Sequence, residues 1–204
     1  MAETMSNSRL EAFCDGVFAI ALTLLIIDIK VPHTVPIEST ADLWRALFHI
    51  LPSILAFLLG FIIILIAWVN HHATLHLVKK ATPAFIYANG FLLLTVVFMP
   101  FPTSLLGEHI LTDHAAPAVI LYNVVMAVQA ISWIVLFRTA IGGRLVKDEK
   151  SVAIFRENKK NGFFGFAIYS ALAILAVWFP LAVAIITTLT WISWLFVGIR
   201  MKHE

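Results

Sequence analysis

Charge is scarce in this 204-residue sequence: Asp, Glu, Lys and Arg together make up 13% of it, while 61% is apolar. Soluble domains hold about 25% charged and 45–50% apolar residues, so a mean hydropathy of +0.94 excludes a water-soluble fold. Cysteine is nearly absent. The lone Cys14 excludes an intrachain disulfide framework, and no Cys/His spacing of a structural zinc site occurs. The chain also has no nucleophile elbow, phosphate-binding glycine loop or pair of catalytic carboxylates, which leaves an enzyme and a resident cofactor without support. No low-complexity tract or internal repeat is evident.

What is present is a set of long uncharged runs. A helix needs about 20 apolar residues to cross a bilayer, and the runs predict an all-α integral membrane protein with spans near 9–30, 49–69, 84–106, 117–138, 162–178 and 181–199. The last two come from one stretch of 38 residues, 162–199. At 1.5 Å per residue it is nearly twice the hydrocarbon thickness, and Trp178-Phe179-Pro180 divides it. Residues 1–204 thus read as one six-span domain. Gly16–Ile27 has the length of a signal-peptide core, but Glu3 and Glu11 flank it and no clean cleavage site follows, so it reads as a span.

Of the 14 lysines and arginines, only Lys30 and Arg45 fall outside when both termini are placed in the cytoplasm. That bias predicts the orientation and explains the basic residues as topology signals, with no nucleic-acid partner implied. The charged segment 138–161, with Gly142-Gly143 and Lys147-Asp148-Glu149-Lys150, reads as solvated linker. His109 and His114, with Glu108 and Asp113, read as a solvated rim on the opposite side.

Helix one departs from a lipid-facing span. Asp15 and Asp28 are separated by 12 residues, or about 18 Å of helix, too short for both carboxylates to stay in water. Charge at membrane depth usually faces a bundle interior or an aqueous path. At about 100° per residue, Gly16, Ile20, Thr23 and Ile27 share one stripe flanked by Phe13 and Leu24, with Asp15 opposite. Ordinary helix packing gives the same spacing, with Thr23 returning its hydroxyl to a backbone carbonyl, so spacing alone leaves both readings open.

Arg9-Leu-Glu-Ala-Phe13-Cys14-Asp15-Gly16 resembles the Arg-x-x-x-Phe-Ser-Asp-Gly signature of the lysosomal potassium channel family and its bacterial and archaeal relatives. Trp68-Val-Asn70-His71-His72 is similar to the family's second helix end, and Asn89 with Phe98-Met-Pro100-Phe101-Pro102 to its third helix. The resemblance implies a prokaryotic plasma-membrane member that conducts potassium passively, also passing rubidium and caesium. First helices from four copies would surround a central pore. By position, Ile20 matches the hydrophobic constriction, Thr23 the pore-facing threonine, and Leu24 and Ile27 further apolar layers. No Thr-Val-Gly-Tyr-Gly filter is present, and no metal is implied beyond transient potassium.

Cys14 stands where the signature has serine, and its thiol is a weaker hydrogen-bond donor of similar size. Near the cytoplasmic helix ends, Arg9, Asp15, Trp68, Asn70, His71, His72 and Asn89 are expected to form a polar network. In it Arg9 forks onto a carboxylate or carbonyls, the Trp68 indole donates its N–H, and His71 or His72 serves Asp15. An alternative reading is a proton-coupled transporter or proton-permeable channel using Asp15, His71 and His72 as a relay. His72 and His76 stand at i and i+4, a metal-binding spacing, but no third ligand is evident in the sequence.

Overall fold

The computed structural model describes residues 7–30 and 37–200, with the side chains of Asp28 and 192–200 outside that description. The Asp28 carboxylate and Glu3, both used above, therefore lie outside the described residues. The described chain is all-helical: α1 (Asn7–Leu24) with a 3₁₀ turn (Leu25–Asp28), α2 (Thr40–His49), α3 (Leu51–His76), α4 (Pro83–Phe98), α5 (Pro100–His109), α6 (Ala115–Gly142), α7 (Glu149–Leu175) and α8 (Pro180–Arg200). Four segments among them are long and apolar enough to cross a membrane: 7–27, 51–76, 83–109 and 115–142. The third is α4 and α5 together. Pro100 has no N–H to continue the ladder, so the register breaks at Met99.

The 138–161 stretch is not a solvated linker. α6 continues to Gly142, and α7 starts where the Asp148 carboxylate accepts the Ser151 backbone N–H at 2.8 Å, leaving only a short turn between them. That bond holds the Asp148 carboxyl below its ordinary value, so the cap is complete above about pH 4 and is lost as acidification passes the lowered value. Fully buried Leu145 and Phe155 tie this hairpin to the core. Charge counting hides them because Phe155 is followed by Arg156 and Glu157. The turn meets the segment after α3 through an isolated antiparallel bridge, Val78 to Val146, flanked by Lys79 N–H to Leu145 at 2.8 Å and Lys147 N–H to Leu77 at 3.0 Å. The Asn7 amide donates to the Val78 carbonyl at 2.7 Å, fastening the start of α1 to the same place.

α1 rests on α3 and α4, α6 pairs most extensively with α7, and a buried Thr187 hydroxyl donating to Asn123 at 2.9 Å joins α8 to α6. The α3/α5 contact depends on Gly107, where a Cβ would lie 2.7 Å from the Ser53 Cα and 3.2 Å from the Ala56 Cβ. Gly107→Ala must push backbone from backbone and is expected to cost about 1–3 kcal/mol. Thermal unfolding of the purified protein should shift down accordingly. Gly90→Ala, with nothing within 4 Å of the new methyl, should shift it far less.

Candidate pore helix and its polar support

α1 has two unlike faces. Leu10, Cys14, Phe18, Ala21 and Leu25, spaced at four and three residues, are buried against the bundle. On the other side Phe13, Ile20, Leu24 and Ile27 are exposed by 63, 57, 37 and 60%, with exposed Gly16 and Thr23 among them. The stripe read from the sequence is therefore brought together on one outer surface. A Cβ on Gly16 would meet nothing within 4 Å. The 3₁₀ turn changes one detail: with three residues per turn, Ile27 aligns over Leu24 instead of Thr23.

The Thr23 hydroxyl donates to the Ile20 carbonyl at 2.9 Å. This is the local pairing expected of a membrane threonine, and it commits the proton to the helix while leaving the oxygen lone pairs free. Ile20 and Thr23 lie about 4.5 Å apart along the axis.

Behind the stripe, the expected polar network divides into three parts. The Trp68 indole N–H donates to the Asp15 carboxylate at 2.8 Å, so Trp68 serves Asp15 and neither histidine does. Fully buried His71 pairs through Nε2 with Asn89 Oδ1 at 2.6 Å. An amide oxygen only accepts, which puts the proton on Nε2 of that histidine. The Asn89 amide in turn donates to Cys14 Sγ at 3.0 Å, so the thiol takes the place of the signature serine as an acceptor inside a buried chain. His72 turns instead toward Glu11, with Nδ1 3.2 Å from the carboxylate.

Two expected members stand apart. Arg9 is exposed and pairs with none of the described acids, so the fork onto a carboxylate is not formed. Asn70 is rotated about 100° from His71 and lines a cavity of about 300 Å³ between α3, α6 and α7, with Gln129 and Asn158. The Asn70 backbone carbonyl accepts the Thr74 hydroxyl at 2.7 Å. The sequence reading missed Glu11 as a partner, having weighed it only as a charge flanking helix one. The sole signal was that Glu11 precedes Asp15 by one turn and therefore reaches the same helix end.

Comparison with known proteins places this arrangement. The family model described as endosomal/lysosomal potassium channel TMEM175 matches residues 9–100. A protein of Chamaesiphon minutus named as a potassium channel is 38% identical over 188 residues, 90% of this chain and 92% of that one. A Danio rerio protein named endosomal/lysosomal proton channel TMEM175 is 38% identical over 112 residues, which cover 52% of this chain and 22% of the fish protein. The crystal structure of a lysosomal potassium-selective channel TMEM175 homolog from Chamaesiphon minutus superposes with a TM-score of 0.82 at 36% identity, covering 94% of this chain and 97% of that one.

Proposed function

The chain belongs to the endosomal/lysosomal potassium channel TMEM175 family, a family of ion channels and not of enzymes, and from that premise we propose that it conducts potassium passively through a pore lined by α1 of four copies. Six spans per subunit with both termini in the cytoplasm of a prokaryotic plasma membrane complete the reading. The observation that carries it is the outward stripe of α1. One face of this helix is fully used by α3 and α4, while Ile20, Thr23, Leu24 and Ile27 face away from their own subunit.

A ring of isoleucines can keep a narrow passage dry and gate it by dewetting. One turn on, four Thr23 hydroxyls whose protons are held by Ile20 carbonyls would offer only oxygen lone pairs to a partly dehydrated cation. Such weak coordination favours ions that shed water cheaply, so potassium, rubidium and caesium should pass in preference to sodium.

The test combines the mass of the detergent-corrected complex with reversal potentials in planar bilayers. A tetramer as the conducting species, with potassium preferred, is the expected result. Thr23→Ala should shift the reversal potential toward the sodium value, and Thr23→Ser should leave it near that of the parent. A conducting monomer or dimer overturns the assembly, and unchanged selectivity in Thr23→Ala overturns the role of Thr23.

The proton reading has one point in its favour, the name of the fish relative. Against a relay through Asp15, His71 and His72, each of the three is engaged elsewhere, with Trp68, Asn89 and Glu11 respectively. A reversal potential that follows a pH gradient would favour it.

A further inference from the structure

We propose that Glu11, His72 and His76 form a binding site for a divalent transition metal of the zinc class, joining the start of α1 to the end of α3. The sequence offers only the pair His72 and His76, four residues apart on one helix face. Folding supplies the third donor from a residue 61 positions before His72. His76 Nε2 lies 3.0 Å from His72 Nε2 and 3.5 Å from Glu11 Oε1, and the latter is 3.2 Å from His72 Nδ1. One donor atom from each residue can be chosen with all three within 4.8 Å of one another.

The chemistry favours a metal over a simple ion pair. With metal–ligand bonds of about 2.0–2.2 Å, donors on a tetrahedral ion sit about 3.3 Å apart; His76 Nε2 and Glu11 Oε1 are already at that spacing, and His72 offers Nε2 on the side of His76 and Nδ1 on the side of Glu11, one of which would ligate. Two imidazoles and one carboxylate are the donor set of open zinc sites, which leave a fourth position to water. The two rings meet edge to face with centroids 4.5 Å apart, so they are not stacked on one another. Imidazole nitrogen selects zinc, cobalt or nickel over the hard calcium and magnesium ions, which prefer all-oxygen shells. Glu11 and His72 are half-buried and His76 is exposed, so an ion has an approach from solvent.

The site binds metal within one subunit and does not depend on the pore reading. Its test uses the full chain without a polyhistidine tag, freed of metal by chelation and dialysed. Calorimetric titration with zinc should show one ion per chain, and cobalt should give visible absorption of a four- or five-coordinate complex. Glu11→Gln, His72→Ala and His76→Ala should each weaken zinc binding on the order of 100-fold, at the upper end of what disturbing a metal site's ligand environment costs. His109→Ala at the end of α5 and His114→Ala just before α6 should leave it unchanged. The variants' melting temperatures in chelator report folding separately, and only the parent and the two controls should gain stability on adding zinc. Absence of stoichiometric cobalt absorption in the parent, or undiminished zinc affinity in all three site variants, overturns the proposal.

Discussion

Ile20→Ala is expected to raise single-channel conductance several-fold and to move the potassium/sodium permeability ratio toward unity. A dewetted constriction depends on both its radius and its lining. In the proposed tetramer, truncation in four copies would withdraw four branched side chains from one level of the pore, and the gap would widen on every side at once. Ile20→Asn should act in the same direction by wetting the layer even though its bulk is largely kept. Neither change should unfold the subunit, because Ile20 is 57% exposed and contributes nothing to the core. Leu22→Ala is the comparison, since Leu22 is half-buried and packs toward the core. Single-channel recordings under a potassium/sodium gradient decide the matter. If Leu22→Ala shifts the reversal potential while Ile20→Ala and Ile20→Asn do not, the pore face has been assigned to the wrong side of α1.

Asn89→Ala is expected to cost more in folding than any other single change in the polar support. Asn89 and His71 are essentially without solvent, and this one amide both accepts from His71 Nε2–H and donates to the Cys14 sulfur. Removing it orphans the buried His71 N–H, a penalty of about 1–3 kcal/mol, with a cavity cost added. The His71 Nδ1 already has no partner, so the ring would be left with neither nitrogen satisfied. Cys14→Ser should do the opposite. A hydroxyl oxygen accepts from the Asn89 amide better than a thiol does, and the gain should be up to about 1 kcal/mol. Thermal unfolding in detergent, read as loss of the monodisperse species, checks both. An Asn89→Ala protein as stable as the parent would mean that the His71–Asn89–Cys14 chain is not what joins α1 to α3 and α4.

These two expectations draw on different sources. The outward stripe of α1 was legible in the sequence because helical periodicity is local: 100° per residue puts Gly16, Ile20, Thr23 and Ile27 together in any α-helix. The apolar runs were legible for a similar reason, since bilayer thickness alone sets their length. Even there the tertiary structure intervened. The 3₁₀ turn after Leu24 moved Ile27 onto the Leu24 line, and the break at Met99 divided one apolar run into α4 and α5. The amphipathic α2, with Leu43, Trp44, Leu47 and Phe48 exposed around Asp42 and Arg45, is too short to register as a span.

By itself, then, the sequence determined that the protein is helical and membrane-embedded, and that its first helix has a stripe unlike its other face. Only the tertiary structure decided who pairs with whom. Asp15, Trp68, His71, His72 and Asn89 were all candidates for one another, and a linear pattern cannot choose among them because partners come from separate helices whose crossing angle and axial offset are set by packing. That packing gave Trp68 to Asp15 and Asn89 to His71, turned Asn70 into a cavity, and left Arg9 without any described acid. It also carried Glu11 to His72 and His76, completing a donor set of which the sequence had shown only two members. Periodicity is a property of one helix, whereas a hydrogen bond or a metal site is a property of the distance between two.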